Sequence, residues 1–539
     1  MPPPRRPSRR AVSTALLLPI LLCPLALLAD VDVTVLQKLT AADAQAGDEF
    51  GFSVWTDGQR IAVGALEDDD NGQASGSVYV FEFDGAAWQQ TQKLLAPDGE
   101  AGDQFGQVRV LGDLIAVGAR RDDLPGAPNG GSVSLFAYDE SEATWQFQQQ
   151  LIASGASAAD ACTISDLDAD RLLMPCTRDD PAGLADAGGL FVFERHGESW
   201  VEQAQVVPFA AAPGDNFGGG AFDGQNPGAS RLVGGSRRAD GAGTDAGGLW
   251  VFEQSSEDPS AWLELGQLVP ADLQPGDEYA ARGAFSGDLL AVSAPEVDDI
   301  APGAGAVYLF ARDDDAPVGW RETAKLLSTD TVAGDNLGRG LTWLAPDLLI
   351  AGAPDDGTRG PLGGALYVFR RDECADGAWG QAAKFSPEDV AVGDLFGRQM
   401  SASPDGVLAV SAWSHDAAAD DAGAVYVLEV SDPLDSDGDG VLDDRDNCTQ
   451  AANTDQRDSN GDGYGNVCDA DLDDSGRVTI ADLRLLVERL FTDDADADLN
   501  GDGTVTVADF TLAREQVFQV PGPSGPVRCF GTPVRLSEG

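Results

Sequence analysis

The chain repeats one unit, and that repeat constrains the fold more than any other feature. Residues 47–94 read GDEFGFSVWTDGQRIAVGALEDDDNGQASGSVYVFEFDGAAWQQTQKL. A Gly47-Asp48 turn opens an apolar run after Phe50-Gly51. A tight turn at Asp57-Gly58 leads to a second apolar run, Ile61 to Ala65. An acidic loop, the alternating Val78-Tyr79-Val80-Phe81 and a run from Trp88 to Leu94 follow. Short runs of period two or continuous apolar character, separated by Gly/Asp turns, specify four antiparallel strands. The opening dipeptide returns at Gly102-Asp103, Gly214-Asp215, Gly276-Asp277, Gly334-Asp335 and Gly393-Asp394, with a worn copy at Ala159-Asp160. Seven copies about 55–62 residues apart match the scale of a four-stranded propeller blade.

Two positions fix the register. Trp88, Trp145, Trp200, Trp262, Trp320 and Trp379 open the fourth run of copies one to six. The four lysines, Lys38, Lys93, Lys325 and Lys384, occupy one place near the end of that run. Copy seven stops at Val425-Tyr426-Val427-Leu428, whereas Lys38 precedes copy one in VTVLQKL. Residues 31–39 are therefore expected to supply the outer strand of the seventh blade, which would close the ring without a loose seam. Small residues in the second run, as in IAVGA at Ile115, LAVSAP at Leu290 and LIAGAP at Leu349, suit a crowded inner strand.

These copies resemble FG-GAP repeats, the blades of integrin-type propellers, over residues 31–430. Phe-Gly stands at 50–51, 105–106, 217–218 and 396–397, and Gly352-Ala353-Pro354 is intact. Integrin-type blades carry DxDxDG calcium loops between their first two strands. The corresponding turns here, such as Thr56-Asp57-Gly58 and Ser286-Gly287-Asp288, are too short to wrap an ion, so those sites do not carry over.

Net charge is −56 at a sequence pI of about 4.1, which argues against nucleic acid as a partner. Met1 to Ala29, with Arg5, Arg6, Arg9 and Arg10 before an apolar run, has the form of a signal peptide and leads us to expect a secreted or cell-envelope protein. No later run is long enough to span a bilayer. Export leaves six cysteines in an oxidising compartment. Cys162 and Cys176 both fall in the worn third copy, where a bond could replace the lost Phe-Gly packing. Cys448 and Cys468 bracket two acidic loops. Cys374 and Cys529 remain, either paired or free.

Between Asp432 and Asp509 stand 21 Asp and one Glu against five Arg. Such a run could be a solvated tail, but its spacing is that of EF-hand-type loops, with oxygens at positions 1, 3, 5, 9 and 12 and Gly at 6. The first set is Asp435, Asp437, Asp439, Asp443 and Asp446, and the second Asp458, Asn460, Asp462, Asn466 and Asp469. The third is Asp471, Asp473, Ser475, Thr479 and Asp482, and the fourth Asp498, Asn500, Asp502, Thr506 and Asp509. Calcium is the expected cofactor. The first two loops, with Asp446-Asn447-Cys448, Asn453, Gln456 and Cys468-Asp469, resemble thrombospondin type 3 repeats, though Thr449 stands where that family has Pro. Loops three and four run into helical patterns, one with Leu483, Leu486, Val487 and Leu490 on its apolar face, the other with Phe510, Ala513 and Val517. Two such units 27 residues apart, each ending Thr-x-Ala-Asp, resemble a type I dockerin, which implies a cohesin-like partner. Its recognition positions here are Ile480-Ala481 and Val507-Ala508 in place of the frequent Ser-Thr, and a calcium-rigidified spacer is the alternative.

The expected organisation is thus a signal peptide (1–29), a mainly β seven-bladed propeller (30–430), a calcium-loop stalk (431–469), an EF-hand-like helical pair (470–520) and a tail (521–539). The acidic loops that follow each second strand, from Asp68-Asp69-Asp70 to Asp420-Asp421, read first as turn formers, with an anionic rim as the alternative. His196 and His415 lie in different copies, give no catalytic or zinc spacing, and are expected at the surface. The favoured function is non-enzymatic binding of an extracellular protein or polysaccharide. The competing one is a polysaccharide-active propeller hydrolase or lyase whose carboxylate pair lies hidden in the central channel.

Overall fold

Each of the four runs in a copy becomes one strand of an up-and-down sheet. The structure is a computed structural model that describes residues 31–223, 231–316, 318–372, 378–403, 406–431, 446–461, 464–473 and 475–520. Seven four-stranded antiparallel sheets follow one another along the chain. The first consists of Phe50–Thr56, Arg60–Ala65, Ser77–Phe83 and Trp88–Leu94. The seventh has Met400–Ala402, Leu408–Ala412 and Ala424–Ser431 as its three inner strands, and its outer strand is Asp32–Leu39. That strand pairs antiparallel with Ala424–Ser431, from Asp32 opposite Ser431 to Leu39 opposite Val425. The expected closure of the ring is therefore present.

Side-chain alternation on twisted sheets stacked face to face leaves apolar layers between neighbours. Seven apolar clusters fill the seven interfaces, each drawn from two consecutive sheets. One of them joins Phe50, Tyr79 and Trp88 of the first blade to Ala409, Val425 and Val427 of the seventh, so the seam is packed like every other junction.

A repeated backbone contact sets the spacing of the blades. The residue in the Phe50 position of each blade donates its amide to a carbonyl of the preceding blade: Phe50 to Ala422, Phe105 to Ser75, Cys162 to Gly130 and Phe217 to Ala187, and likewise for Tyr279, Leu337 and Phe396, at 2.8–3.1 Å. A glycine follows each acceptor, and Gly76 shows why: at φ +82°, a Cβ there would lie 2.1 Å from the Phe105 carbonyl oxygen. In the third blade Cys162 occupies the Phe position and is disulfide-bonded to Cys176, as expected. Gly64 makes the other close approach, since its Cβ would sit 1.8 Å from the Gly106 carbonyl oxygen, which explains the small residues of the second run.

The lysine position is a clamp. Lys93 reaches Asp43, Asp68 and Asp70 at 2.9, 2.8 and 2.6 Å, and the Tyr79 hydroxyl donates to Asp43 and Asp68, both at 2.8 Å. Lys325 with Tyr308, and Lys384 with Tyr367, repeat the arrangement, and Lys38 with Tyr426 shares Asp389. In the second and third blades Gln150 and Gln205 take the lysine's place. Most of the acidic loop residues are thus structural: Asp68 and Asp356 belong to clamps, while Asp69, Asp123, Asp180, Asp240 and Asp298 each accept a backbone amide that closes their own loop. His415 departs from expectation. It is buried, 7% exposed, because it stands in the place of Asp68 beside the seventh clamp, with Nε2 3.8 Å from Asp394 and 4.0 Å from Asp389. His196 lies in an exposed hairpin as expected.

Beyond the ring, two nine-residue helices, α1 (Ile480–Glu488) and α2 (Val507–Glu515), pack through Ala470, Val478, Leu486, Ala497, Leu499, Val505 and Ala513. Leu483, Leu490, Phe510 and Val517 close over this small core, whereas Val487, expected on the same face, is 50% exposed. The two units are related by a local twofold exchange: Val478 pairs with Phe518 and Gln519 after α2, and Val505 with Phe491 and Thr492 after α1. Among the described residues no helix is long and apolar enough to cross a membrane.

Candidate functional sites: acidic loops and the central channel

The third and fourth acidic loops adopt one conformation. Asp471, at position 1, accepts from the amides of Ser475 and Gly476 at 3.1 and 2.6 Å. Asp498 accepts equivalently from Asp502 and Gly503 at 3.2 and 2.9 Å. At position 12, Asp482 takes the amides of Asp473 and Thr479 (3.2 and 2.7 Å), and Asp509 those of Asn500 and Thr506 (3.0 and 2.7 Å). Thr479 and Thr506 are the helix N-caps of reciprocal capping boxes, so their hydroxyls already serve Ala481 and Ala508.

In the third loop the carboxylate oxygens of Asp471, Asp473 and Asp482 lie within 4.8 Å of one another. Carboxylates this close repel unless a cation or protons intervene, and hard oxygen ligands of this kind suit calcium. The fourth loop does not gather its three carboxylates so tightly, and Arg457 from the second loop sits 3.1 Å from Asp498. Asn466 likewise spends its side chain on Ser459 and the Ala495 carbonyl, which ties the second loop to the fourth. Asp458 caps Gly461, Asn460 is in the same turn, and buried Asp469 accepts from Asp471. Of the first loop only Asp446 is described; it is buried and accepts from Cys448 and Gln456. Asp435, Asp437, Asp439 and Asp443, like Asp462 and the cysteines Cys374 and Cys529, lie outside the described residues. Cys448 and Cys468 are disulfide-bonded, as expected.

The second candidate is the bore of the ring, a cavity of about 1430 Å³. Arg109, Arg120, Arg121, Arg178, Arg238 and Arg282 line it together with neutral polar side chains such as Gln107, Thr163, Asn216 and Gln399. Arg109 lies 4.3 Å over the Trp55 ring and donates to the Ser165 and Val108 carbonyls, both at 2.8 Å. Arg282 donates to the Arg339 carbonyl at 3.3 Å. Enclosure by the ring lowers the Arg282 pKa to about 10, and the neighbouring Arg109, Arg398, Arg339 and Arg237 push it the same way. Arg109 is lowered to about 10 by the same enclosure, against the pull of Asp166. Asp166 and Asp168 also line the channel, but Asp166 accepts from the amides of Phe222 and Leu167, and Asp168 is bound by Arg171.

The sequence signal for the bore arginines stands beside the acidic loops: Arg120-Arg121, Arg178 and Arg237-Arg238 come within two residues of the end of the second run and precede the loop aspartates.

These features define a closed seven-bladed β-propeller. The chain carries FG-GAP repeats, matched at residues 33–81, 88–136, 262–310, 320–369 and 379–428. Each matched unit runs from the outer strand of one blade through three strands of the next, so the strand overlap that closes the ring is built into the repeat itself. The two units left unmatched cover the disulfide-bonded third blade and the fourth. No curated protein matches the chain in sequence. Solved structures similar in shape include Saccharomyces cerevisiae Sqt1 (TM-score 0.41, 13% identity, covering 72% of this chain and 97% of that one). Two putative 6-phosphogluconolactonases also match. The one from Bacteroides fragilis has TM-score 0.41 and 12% identity, covering 65% and 83%; the one from Bacteroides uniformis has 0.42 and 10%, covering 66% and 88%. At these scores the likeness brings no activity to this chain.

Proposed function

We propose that this is a secreted or cell-surface calcium-binding protein whose propeller holds an extracellular protein or polysaccharide without chemically converting it. Its C-terminal segment, thrombospondin type 3-like over 435–469 and dockerin-like over 470–520, serves attachment or assembly once calcium has folded it. The observation that carries the reading is the joining of a rigid FG-GAP ring to a segment in which Asp471, Asp473 and Asp482 converge. Unloaded, that segment has only a small core and many like charges, so metal binding would supply much of its folding energy. Ile480 and Val507, 57% and 66% exposed at the starts of α1 and α2, offer duplicated apolar contacts to a cohesin-like partner.

Calorimetric titration of the full-length protein with calcium, followed by glycan and matrix arrays with and without chelator, tests the reading. We expect at least three ions bound, a gain in helix signal, and calcium-dependent retention. No calcium uptake would remove the attachment half. Turnover of a polysaccharide, abolished by Asp166→Asn, would replace binding by catalysis.

A further inference from the structure

Many cations of this acidic chain are matched to carboxylates, but most of those lining the bore are not. All four lysines bind carboxylates, as do arginines outside the bore such as Arg60, Arg171, Arg231 and Arg312. Of the arginines lining the bore, Arg237 pairs with Glu278 at 3.4 Å, whereas Arg109, Arg120, Arg121, Arg178, Arg238 and Arg282 make no carboxylate ion pair among the described residues. With 90 acidic residues in the chain, partners were plentiful. Instead these guanidinium groups are collected around one cavity, which Asp166, Asp168 and Asp186 also line, and the charges that act on Arg282 there are those of Arg109, Arg398, Arg339 and Arg237. Like charges gathered around one bore repel one another, the more so at low salt. Anions brought in from outside would relieve that repulsion.

The lining narrows the choice of anion. A guanidinium presents a planar fork that matches carboxylate and sulfate oxygens two at a time. Between the arginines stand amide and hydroxyl side chains: Gln399, and Gln107, Thr163 and Asn216, whose oxygens keep a second lone pair for sugar hydroxyls beyond the bonds they make within the protein. The volume exceeds the roughly 300–1,000 Å³ of an ordinary small-molecule site and suits an oligomer. We infer that the bore binds an acidic saccharide, its carboxylate or sulfate groups gripped by Arg109 and Arg282 within and by Arg121, Arg178 and Arg238 at the mouth. This rests on the ligand-holding reading of the propeller, not on calcium.

The test titrates full-length protein, with calcium and at low salt, against uronate oligomers, sulfated oligosaccharides, neutral oligosaccharides of equal length, oligoglutamate and inorganic phosphate. Acidic sugars of either kind should bind and neutral ones should not. Affinity should fall about tenfold or more between roughly 50 and 300 mM salt. Arg109→Gln with Arg282→Gln should cost about tenfold or more in affinity while the ring still melts cooperatively. Arg282→Lys, which keeps the charge but loses the fork, should fall between, and Arg321→Gln on the outer surface should have no effect. Should the double variant not fold, Arg282→Lys carries the comparison. Oligoglutamate or phosphate binding as tightly as the sugars would overturn the inference, as would the absence of anion binding at low salt. Failure here with calcium-dependent array retention intact would leave the broader proposal standing; loss of retention with bore binding intact would do the reverse.

Discussion

The ring and the C-terminal segment solve the same problem, holding a chain rich in aspartate in one shape, by opposite means. In the ring, apolar interfaces between sheets do most of the work, and aspartates are matched to donors that the ring itself supplies. Each is given backbone amides, as Asp48 takes that of Gln45, or a lysine, as Asp68 takes Lys93. In the C-terminal segment the ratio is inverted. Seven buried apolar residues form the centre, and in the third loop Asp471, Asp473 and Asp482 are brought together. On the proposed function, the first design folds from its own sequence, whereas the second would wait for a cation.

The largest expected difference follows from chelation. With Kd values of about 10⁻⁵ to 10⁻⁴ M at millimolar calcium, three loaded loops would contribute roughly 4–8 kcal/mol. Hydrogen exchange should therefore lose the protection of α1 and α2 in chelator while the strand Phe50–Thr56 keeps its own. Equal loss in both regions would break the contrast. Phe50→Ala runs the other way. Phe50 is fully buried at the seam, and its truncation should cost about 3–5 kcal/mol of ring stability, read by denaturant melts, with calcium uptake unchanged.

Lys93→Met leaves buried Asp68 without its counter-charge, though still bonded by Tyr79 and the Asp70 amide, and should cost about 2 kcal/mol. Gln150→Met in the second blade, where the partner was never charged, should cost less. The smallest effect is a matter of pH. Burial pushes the carboxyls of Asp48, Asp103, Asp215, Asp277, Asp335 and Asp394 upward, Asp103 to about 6. Between the ordinary value of 3.8 and about 6, folded Asp103 binds more proton than unfolded, so this group stabilises the ring as pH falls through that window and loses the contribution as pH rises. Asp103→Asn should flatten the slope. Asp43, Asp272, Asp356 and Asp389 move oppositely: against the burial that would raise them, hydrogen bonds from lysine hold them low, and their contribution disappears only in stronger acid. Calcium affinity should weaken over the range in which the ring gains, because protons compete for the same carboxylates.

Much of the ring was legible because its determinants recur at fixed places. Lys38 outside copy one revealed the closure, and Cys162 and Cys176 in the worn copy announced their bond. Other features were hidden for physical reasons. His415 looks like a loop residue until the clamp geometry shows that it has inherited a buried aspartate's place. Val487 satisfies helical periodicity, but a helix of nine residues has too little core beneath it to cover every apolar side chain. Loop spacing gave the positions of Asp471, Asp473 and Asp482, yet not that Thr479 would be engaged as an N-cap. The bore arginines come from different blades, and only the ring's curvature brings them together.

Pairing Asp32 with Ser431 also has a consequence for synthesis. The first strand has no partner until nearly four hundred further residues have been made, roughly 20–80 s at ordinary elongation rates of 5–20 residues per second. Throughout that interval its exposed edge must avoid other strands. A sequence alternating charged and polar residues with valine and leucine, DVTVLQKL, is suited to that wait.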